Sequence, residues 1–330
     1  MAGKSTLFKT AVALAFSILV ATPWAAGLSD EQEGASKVYC VKKVPVAEDA
    51  YQVQLSQQGA GYAPDSDEQC FEWWYSAATV SAYSALQELF SVDFPPGEII
   101  LTSDLEFGGY DDNGEVCVSG ATAFYPFLFG SSGEVSLTSA GDSAFTVRGV
   151  CYIGGASEAT FGGNLLTSVS NVNFENLRLE SLTSAGLLGW NEYDASVNRV
   201  RIGNAVVNAP MAGVLAASIR DLSVNEFYGY SIMLNAIPKL NDNESFSTPN
   251  ASIGSLVGYV EVLKVASAKL DDVHITYSPL VGTSYLDSSL PDRDAYVGGI
   301  VGHVTTHVNL HNHRNLWFGC DLSSIQTGGK

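Results

Sequence analysis

An all-β solenoid is the fold this sequence predicts. Three observations point to it: a short apolar-glycine unit that recurs, apolar alternation between its copies, and a composition poor in charge and rich in glycine. The unit reads Gly186-Leu187-Leu188-Gly189, Gly213-Val214-Leu215-Ala216, Ser255-Leu256-Val257-Gly258 and Gly299-Ile300-Val301-Gly302, with starts 27, 42 and 44 residues apart. Gly254 and Gly298 stand just before the last two copies. Self-similarity at roughly 20–50 residues marks a solenoid or array, in which each unit buries its apolar face on its neighbours. Charged residues are 15% of the 330, and Gly numbers 32, against about a quarter charged in ordinary globular chains. With 46% hydrophobic residues, the chain can bury a continuous core despite its formal charge of −19.

The elements follow in order. Residues 1–27 read as a secretory signal: Lys4 and Lys9 give a positive start, Ala11 to Ala21 an apolar stretch, and Ala25, Ala26 and Gly27 a small-residue cleavage site. The apolar stretch is short for a bilayer span, so no membrane insertion is expected once it is removed. Cleavage would remove two lysines and no acid, taking the charge from −19 to −21. Residues 28–75 read as an irregular acidic segment carrying some strand, with turns at Gln57-Gln58-Gly59-Ala60-Gly61 and Pro64-Asp65-Ser66-Asp67. Residues 76–97 read as an amphipathic helix and turn: Ser76 is an N-cap type, Val80, Tyr83, Leu86 and Leu89 recur at helical spacing, and Pro95-Pro96-Gly97 stops the run. Placed ahead of a long β region, it would cap the open end of the array.

Residues 98–330 form the β region. Alternating triplets occur at Val172-Asn173-Phe174, Leu177-Arg178-Leu179, Val200-Arg201-Ile202, Leu222-Ser223-Val224 and Val273-His274-Ile275, each placing one face inward. They alternate with the glycine units, giving about two strand types per turn of chain. The glycines are expected to turn corners at positive φ and to let stacked strands approach closely. Segments 234–252 and 283–296 read as variable loops, which in repeat folds gather on the binding face.

The four glycine units resemble the GLUG motif of bacterial secreted proteins. Leu101-Thr102-Ser103-Asp104-Leu105-Glu106-Phe107-Gly108-Gly109, followed by Phe124-Tyr125-Pro126, is similar to the segment that often precedes such repeats. The resemblance spans roughly residues 76–320, with Ala216 in place of the last glycine in the second copy and Ser255 opening the third. It implies a right-handed parallel β-helix, and a setting among adhesins and large surface proteins.

The chemistry-bearing residues are sparse. Five cysteines, Cys40, Cys70, Cys117, Cys151 and Cys320, lack zinc-ribbon spacing; in an exported chain Cys40 with Cys70 and Cys117 with Cys151 are the pairings that proximity favours. The acidic surface repels nucleic acid and anionic lipid, and disfavours polyanionic glycans such as pectate unless a cation bridges them, leaving proteins and neutral glycans as partners. Asp271-Asp272 is the best local carboxylate pair, but adjacent strand residues point to opposite faces unless they lie on a turn. The Gly-His-Gly turn and Arg-x-Lys strand of polygalacturonase-like enzymes are missing after Gly302-His303. His303, His307, His311 and His313 are candidate metal ligands for zinc or copper. Extended residues four apart stand about 13 Å from each other, so a turn would be needed to gather them, and clustering on a solvent-facing strand is the simpler account. Asp111-Asp112-Asn113-Gly114-Glu115 and Asn241-Asp242-Asn243-Glu244 do not fit an EF-hand. No nucleophile elbow, zinc-protease helix or phosphate loop occurs.

Trp73-Trp74-Tyr75, and Trp190 with Tyr193, are candidates for stacking on sugar rings if exposed; packing in the core is the simpler account, and Trp73 and Trp74 suit packing against the first strands. The sequence therefore predicts no cofactor, no catalytic residue, and an adhesive or structural role in secretion or at the bacterial cell surface, through loops between rungs. A polysaccharide-active enzyme or carbohydrate-binding module is the alternative. An uncovered last rung would give concentration-dependent homo-oligomers.

Overall fold

The computed structural model describes residues 37–47, 50–59, 61–73, 97–106, 135–153, 158–161, 166–181, 183–189, 191–236, 251–277, 295–310 and 316–321. The signal segment, the expected cap helix and turn over 76–97 (save Gly97), the Asp111 and Asn241 turns and most of both variable loops lie outside them. Every described element is a strand, and most pairs are parallel.

Three strands come first: β1 (Lys37–Ala47), β2 (Ala50–Gln58) and β3 (Glu68–Trp73). They form an antiparallel sheet in which β1 lies between the other two. The N-terminal segment thus carries ordered strand through much of its length. Cys40 faces Cys70 across β1 and β3, and the two are joined by a disulfide, the pairing that proximity favours. Tyr39 is buried, and its hydroxyl donates to the Glu106 carbonyl; burial, and then the Glu106 charge, push that hydroxyl well above its ordinary pKa.

β2 passes the ladder on in parallel to β4 (Glu98–Leu101). The chain continues through β5 (Leu105–Glu106), β6 (Val135–Ser139), β7 (Phe145–Arg148), β8 (Cys151–Ile153), β9 (Ala159–Thr160), β10 (Leu166–Glu175), β11 (Arg178–Glu180) and β12 (Ser184–Gly186). Next come β13 (Asn191–Asn208), β14 (Met211–Ala212), β15 (Ala216–Ala236), β16 (Ala251–Gly254), β17 (Val257–Val265) and β18 (Ala268–Tyr277). The last three are β19 (Ala295–Gly298), β20 (Val301–Leu310) and β21 (Leu316–Asp321). A small sheet runs β19-β16-β14-β12-β9, and the rest join the large one.

Register explains the core. Val53, Ile99, Leu137, Val169, Val197, Val224 and Val265 stand side by side on successive parallel strands, and all are buried. A second column runs Phe145, Val172, Val200, Phe227 and Ala268. A third runs Leu179, Val207, Leu234 and Ile275. The small sheet adds Ala159, Ala185, Ala212, Ile253 and Val297. All four columns contribute to one cluster. Burying an aliphatic side chain of this size contributes about 1.5–3 kcal/mol, so each column is a main source of stability. The apolar members of all five alternating triplets are buried, but the triplets fall on three columns rather than one strand type.

Corners between the columns are made by residues in the left-handed region. Asn171, Arg199 and Glu226 form one line, and Asn176, Asn204, Ser231 and Asp272 another, each with φ between 50° and 55°. Such a residue breaks strand alternation, so Val197 and Val200 both face inward across Arg199. This overturns the expectation that the unit glycines take the corners: among the described residues positive-φ glycines are Gly61, Gly141 and Gly149.

The unit glycines serve the other expected purpose, close approach. Gly186, Gly213, Gly254 and Gly298 each follow a residue of the small-sheet column. Leu188, Ala216, Val257 and Val301 form the next line, followed by Gly189, Ala217, Gly258 and Gly302. The second copy therefore ends on Ala217 rather than Ala216, and the third and fourth open on Gly254 and Gly298. A Cβ on Gly254 would sit 2.4 Å from the Val257 carbonyl oxygen and 2.5 Å from the Gly302 nitrogen. Backbone cannot yield at that distance.

Gly254→Ala is expected to cost about 3 kcal/mol or more in urea unfolding, whereas Gly299→Ala, whose Cβ would meet nothing within 4 Å, should change stability by less than about 0.5 kcal/mol. Replacing both Cys40 and Cys70 by Ser, across a sequence separation of 30, should cost about 3–4 kcal/mol in the same assay.

Candidate functional site

Between the two corner lines, the middle stretches of β13, β15 and β18 turn one face outward. Val200 and Ile202, Phe227, and Ala268 and Leu270 point into the core. Alternation then sends Arg201 and Gly203, Tyr228 and Tyr230, and Lys269 and Asp271 outward. Register places Arg201, Tyr228 and Lys269 in one line across three strands, and Glu175, Gly203, Tyr230 and Asp271 in the next.

The two tyrosine rings stand with centroids 5.5 Å apart and planes 20° from parallel. Gly203 makes room for them: a Cβ there would lie 2.1 Å from the Tyr230 ring. The ring therefore lies across β13, and its hydroxyl donates to Glu175 Oε1 at 3.4 Å on β10. Glu175 in turn holds Arg148 at 3.1 Å. The Arg201 guanidinium sits 4.6 Å from the Tyr230 centroid and 5.4 Å from that of Tyr228. Lys269 Nζ lies 4.9 Å from the Tyr228 centroid and 3.7 Å from Asp271. Both tyrosines are half-buried, while Arg201 and Lys269 are exposed. The result is an aromatic and cationic patch on a strongly acidic chain, rich in hydrogen-bonding groups and built on rigid strands.

Asp194 and Asp221 are direct register partners on the preceding face. Arg220 bonds Asp194 at 3.0 Å. Arg220, and then Asp221, hold Asp194 below the usual carboxylate range. Partial burial, and then Asp194, raise Asp221. With Ser223 and Lys264 the pair lines a cavity of about 30 Å3, the share of one water molecule.

Asp271 and Asp272 are not brought together into a cleft. Asp271 belongs to the outward line beside Lys269, and Asp272 sits at a corner, accepting from Ser231 at 3.0 Å and facing His274 at 3.0 Å. Those bonds, Ser231 first, lower its carboxyl pKa.

His303 lies against two aromatic rings, Tyr296 stacked at 4.3 Å and Tyr259 edge-on at 5.3 Å; its Nδ1 is buried without a hydrogen-bond partner among the described residues. His307 stands four residues farther along β20, opposite Val262 rather than Tyr259. His311 and His313 lie outside the described residues. Among those residues the grouping with metal-ligand character is Cys40, Glu68 and Cys70, and the disulfide takes both of its sulfurs. Trp190 is also outside, and Tyr193 falls on the first stretch of β13, before the Arg199 corner.

Sequence reading missed Tyr228 and Tyr230. Its usable signal was Phe227-Tyr228-Gly229-Tyr230, where alternation alone sends both tyrosines to one face. Comparison with protein-family models, curated proteins and solved structures returned no match.

Asp221→Asn tests the carboxyl pair. A carboxyl raised in the fold contributes stability below its unfolded pKa and loses it as pH rises through the folded value; Asp194, which is lowered, does the reverse. The variant's melting temperature should therefore exceed the parent's at about pH 8 and match it near pH 3. Equal melting temperatures at both pH values would show that the two carboxyls do not interact.

Proposed function

We propose that this chain is an exported, non-enzymatic, right-handed β-solenoid of the GLUG type that acts in adhesion at the bacterial cell surface or in the medium, and that it recognises a glycan on its Tyr228 and Tyr230 face. The single observation that carries the reading is this tyrosine pair, held rigidly on adjacent outward positions and ringed by hydrogen-bonding side chains. Sugar rings present apolar faces and hydroxyl edges, which such a surface matches. In-register parallel strands carrying the glycine units support the solenoid, and the Cys40–Cys70 disulfide supports an oxidising compartment. Among the described residues β20 ends the path of the large sheet, and association of further copies there belongs to the same reading.

The test is an insoluble-polysaccharide pull-down and glycan array with residues 28–330, followed by product analysis. The expected result is binding without release of sugars. Replacing Tyr228 and Tyr230 together by Ala should weaken that binding about tenfold or more while leaving the circular dichroism spectrum unchanged. Undiminished binding by the double variant would remove the tyrosine face from the account, and released oligosaccharide would replace adhesion with catalysis.

A further inference from the structure

We propose that the ligand of this face is an acidic glycan, an oligosaccharide of uronic acid units whose carboxylates are received by Arg201 and Lys269. The inference rests on the glycan reading above and adds the ligand's charge. Arg201 is exposed and touches the faces of two tyrosine rings, and no acidic side chain among the described residues pairs with it. Stacking occupies the flat face of a guanidinium and leaves its N–H edge free. That edge is a fork matched to a carboxylate, which it holds by two parallel bonds.

The patch also departs from its chain in sign. Among the described residues Arg148 pairs with Glu175 and Lys269 with Asp271, while Arg201 pairs with no acid, on a chain of formal charge −19. An uncommitted cation in that setting favours an anion locally, while the remaining surface repels a dense polyanion. Duplex DNA, with a charge every ~1.7 Å, meets that repulsion in full; a glycan with one carboxylate per sugar is far sparser.

Spacing selects a polymer over a single terminal acid. Arg201 and Lys269 lie two strands apart in one register line, roughly 10 Å at the usual strand separation. Arg201 receives one carboxylate, and the Lys269 ammonium, which keeps its Asp271 contact, donates to the next one repeated along a chain that runs across the strands. Tyr228, whose hydroxyl has no partner among the described residues, stands between them to meet the intervening sugar, and Glu175 and Asp271 offer acceptors for its hydroxyls.

Isothermal titration calorimetry on residues 28–330 would compare an oligo-uronate, its carboxyl-reduced neutral counterpart, a sialylated oligosaccharide and poly-glutamate. The expected result is oligo-uronate binding that weakens with added salt and exceeds the neutral counterpart by about tenfold or more, the worth of one charge-assisted hydrogen bond. Arg201→Gln, and separately Lys269→Gln, should shrink that preference; both residues are exposed, so folding is preserved. Equal or tighter binding of the neutral sugar would overturn the acidic ligand and leave the tyrosine reading standing. Failure of every sugar to bind would overturn both. Equal binding of the sialylated sugar or of poly-glutamate would overturn the uronate assignment in favour of a terminal acid or an acidic peptide.

Discussion

Parallel backbone pairing in strict register is the constraint on which everything else in this molecule depends. Once Leu222 stands beside Ala195 and Leu263 beside Leu222, the chemistry of each position is set by the position one pass earlier. Inward positions must stay apolar along the whole column, and outward positions must tolerate a neighbour of the same kind. The polar columns meet that demand by bonding along the stack: Ser168 with Ser196 at 2.9 Å, Asn225 to Asn198 at 2.9 Å and Asn235 to Asn208 at 2.7 Å. Where like charges coincide, at Asp194 and Asp221, the Arg220 charge offsets the repulsion.

Two backbone devices keep that register. Left-handed corners let consecutive stretches of one long strand turn their apolar residues into the same core, as Val197 and Val200 do on either side of Arg199. For a side chain other than glycine this conformation costs roughly 1–2 kcal/mol, offset here by the ladder bonds and burial it permits. The unit glycines act differently, at crowded points where one backbone segment presses on the next. The tyrosine face inherits its geometry from the same arrangement. Gly203 exists as a gap only because Tyr230 comes to lie one strand over, and Arg201 meets both rings only because β13 and β15 pair without slippage through that stretch.

The all-β, mostly parallel character was legible because it resides in local signals: alternation in Val172-Asn173-Phe174 and its kin, and glycines at recurring intervals. The Cys40–Cys70 bridge was legible from proximity. The corners were not, since Arg199 and Glu226 are poor left-handed formers and adopt that conformation only because their neighbours are fixed. The glycine columns were displaced by one residue from their reading in the sequence, because Leu188 pairs with Ala216 and the first copy is one residue shorter between its glycine lines. The tyrosine face was hidden for a related reason. Arg201 and Tyr228 are 27 residues apart, and Lys269 another 41, so only the pairing register brings them together. Trp190 stands out in the sequence by itself, whereas Tyr228 and Tyr230 gain significance from strands on either side.

The β15–β17 pairing carries the chain across the long interval after Ala236 and precedes the β18 strand that brings Lys269 to the tyrosine face. Ser223 and Lys264 are exposed register partners across this step. The most direct test is therefore a paired-cysteine experiment, Ser223→Cys with Lys264→Cys, oxidised and mapped by peptide mass spectrometry, beside Ser223→Cys with Val265→Cys. Efficient crosslinking of the first pair and little of the second, whose Val265 side chain is buried in the core, is the result this account predicts. Preferential crosslinking of the second pair would mean a one-residue slip that turns the apolar columns outward, and would contradict the fold and the site together.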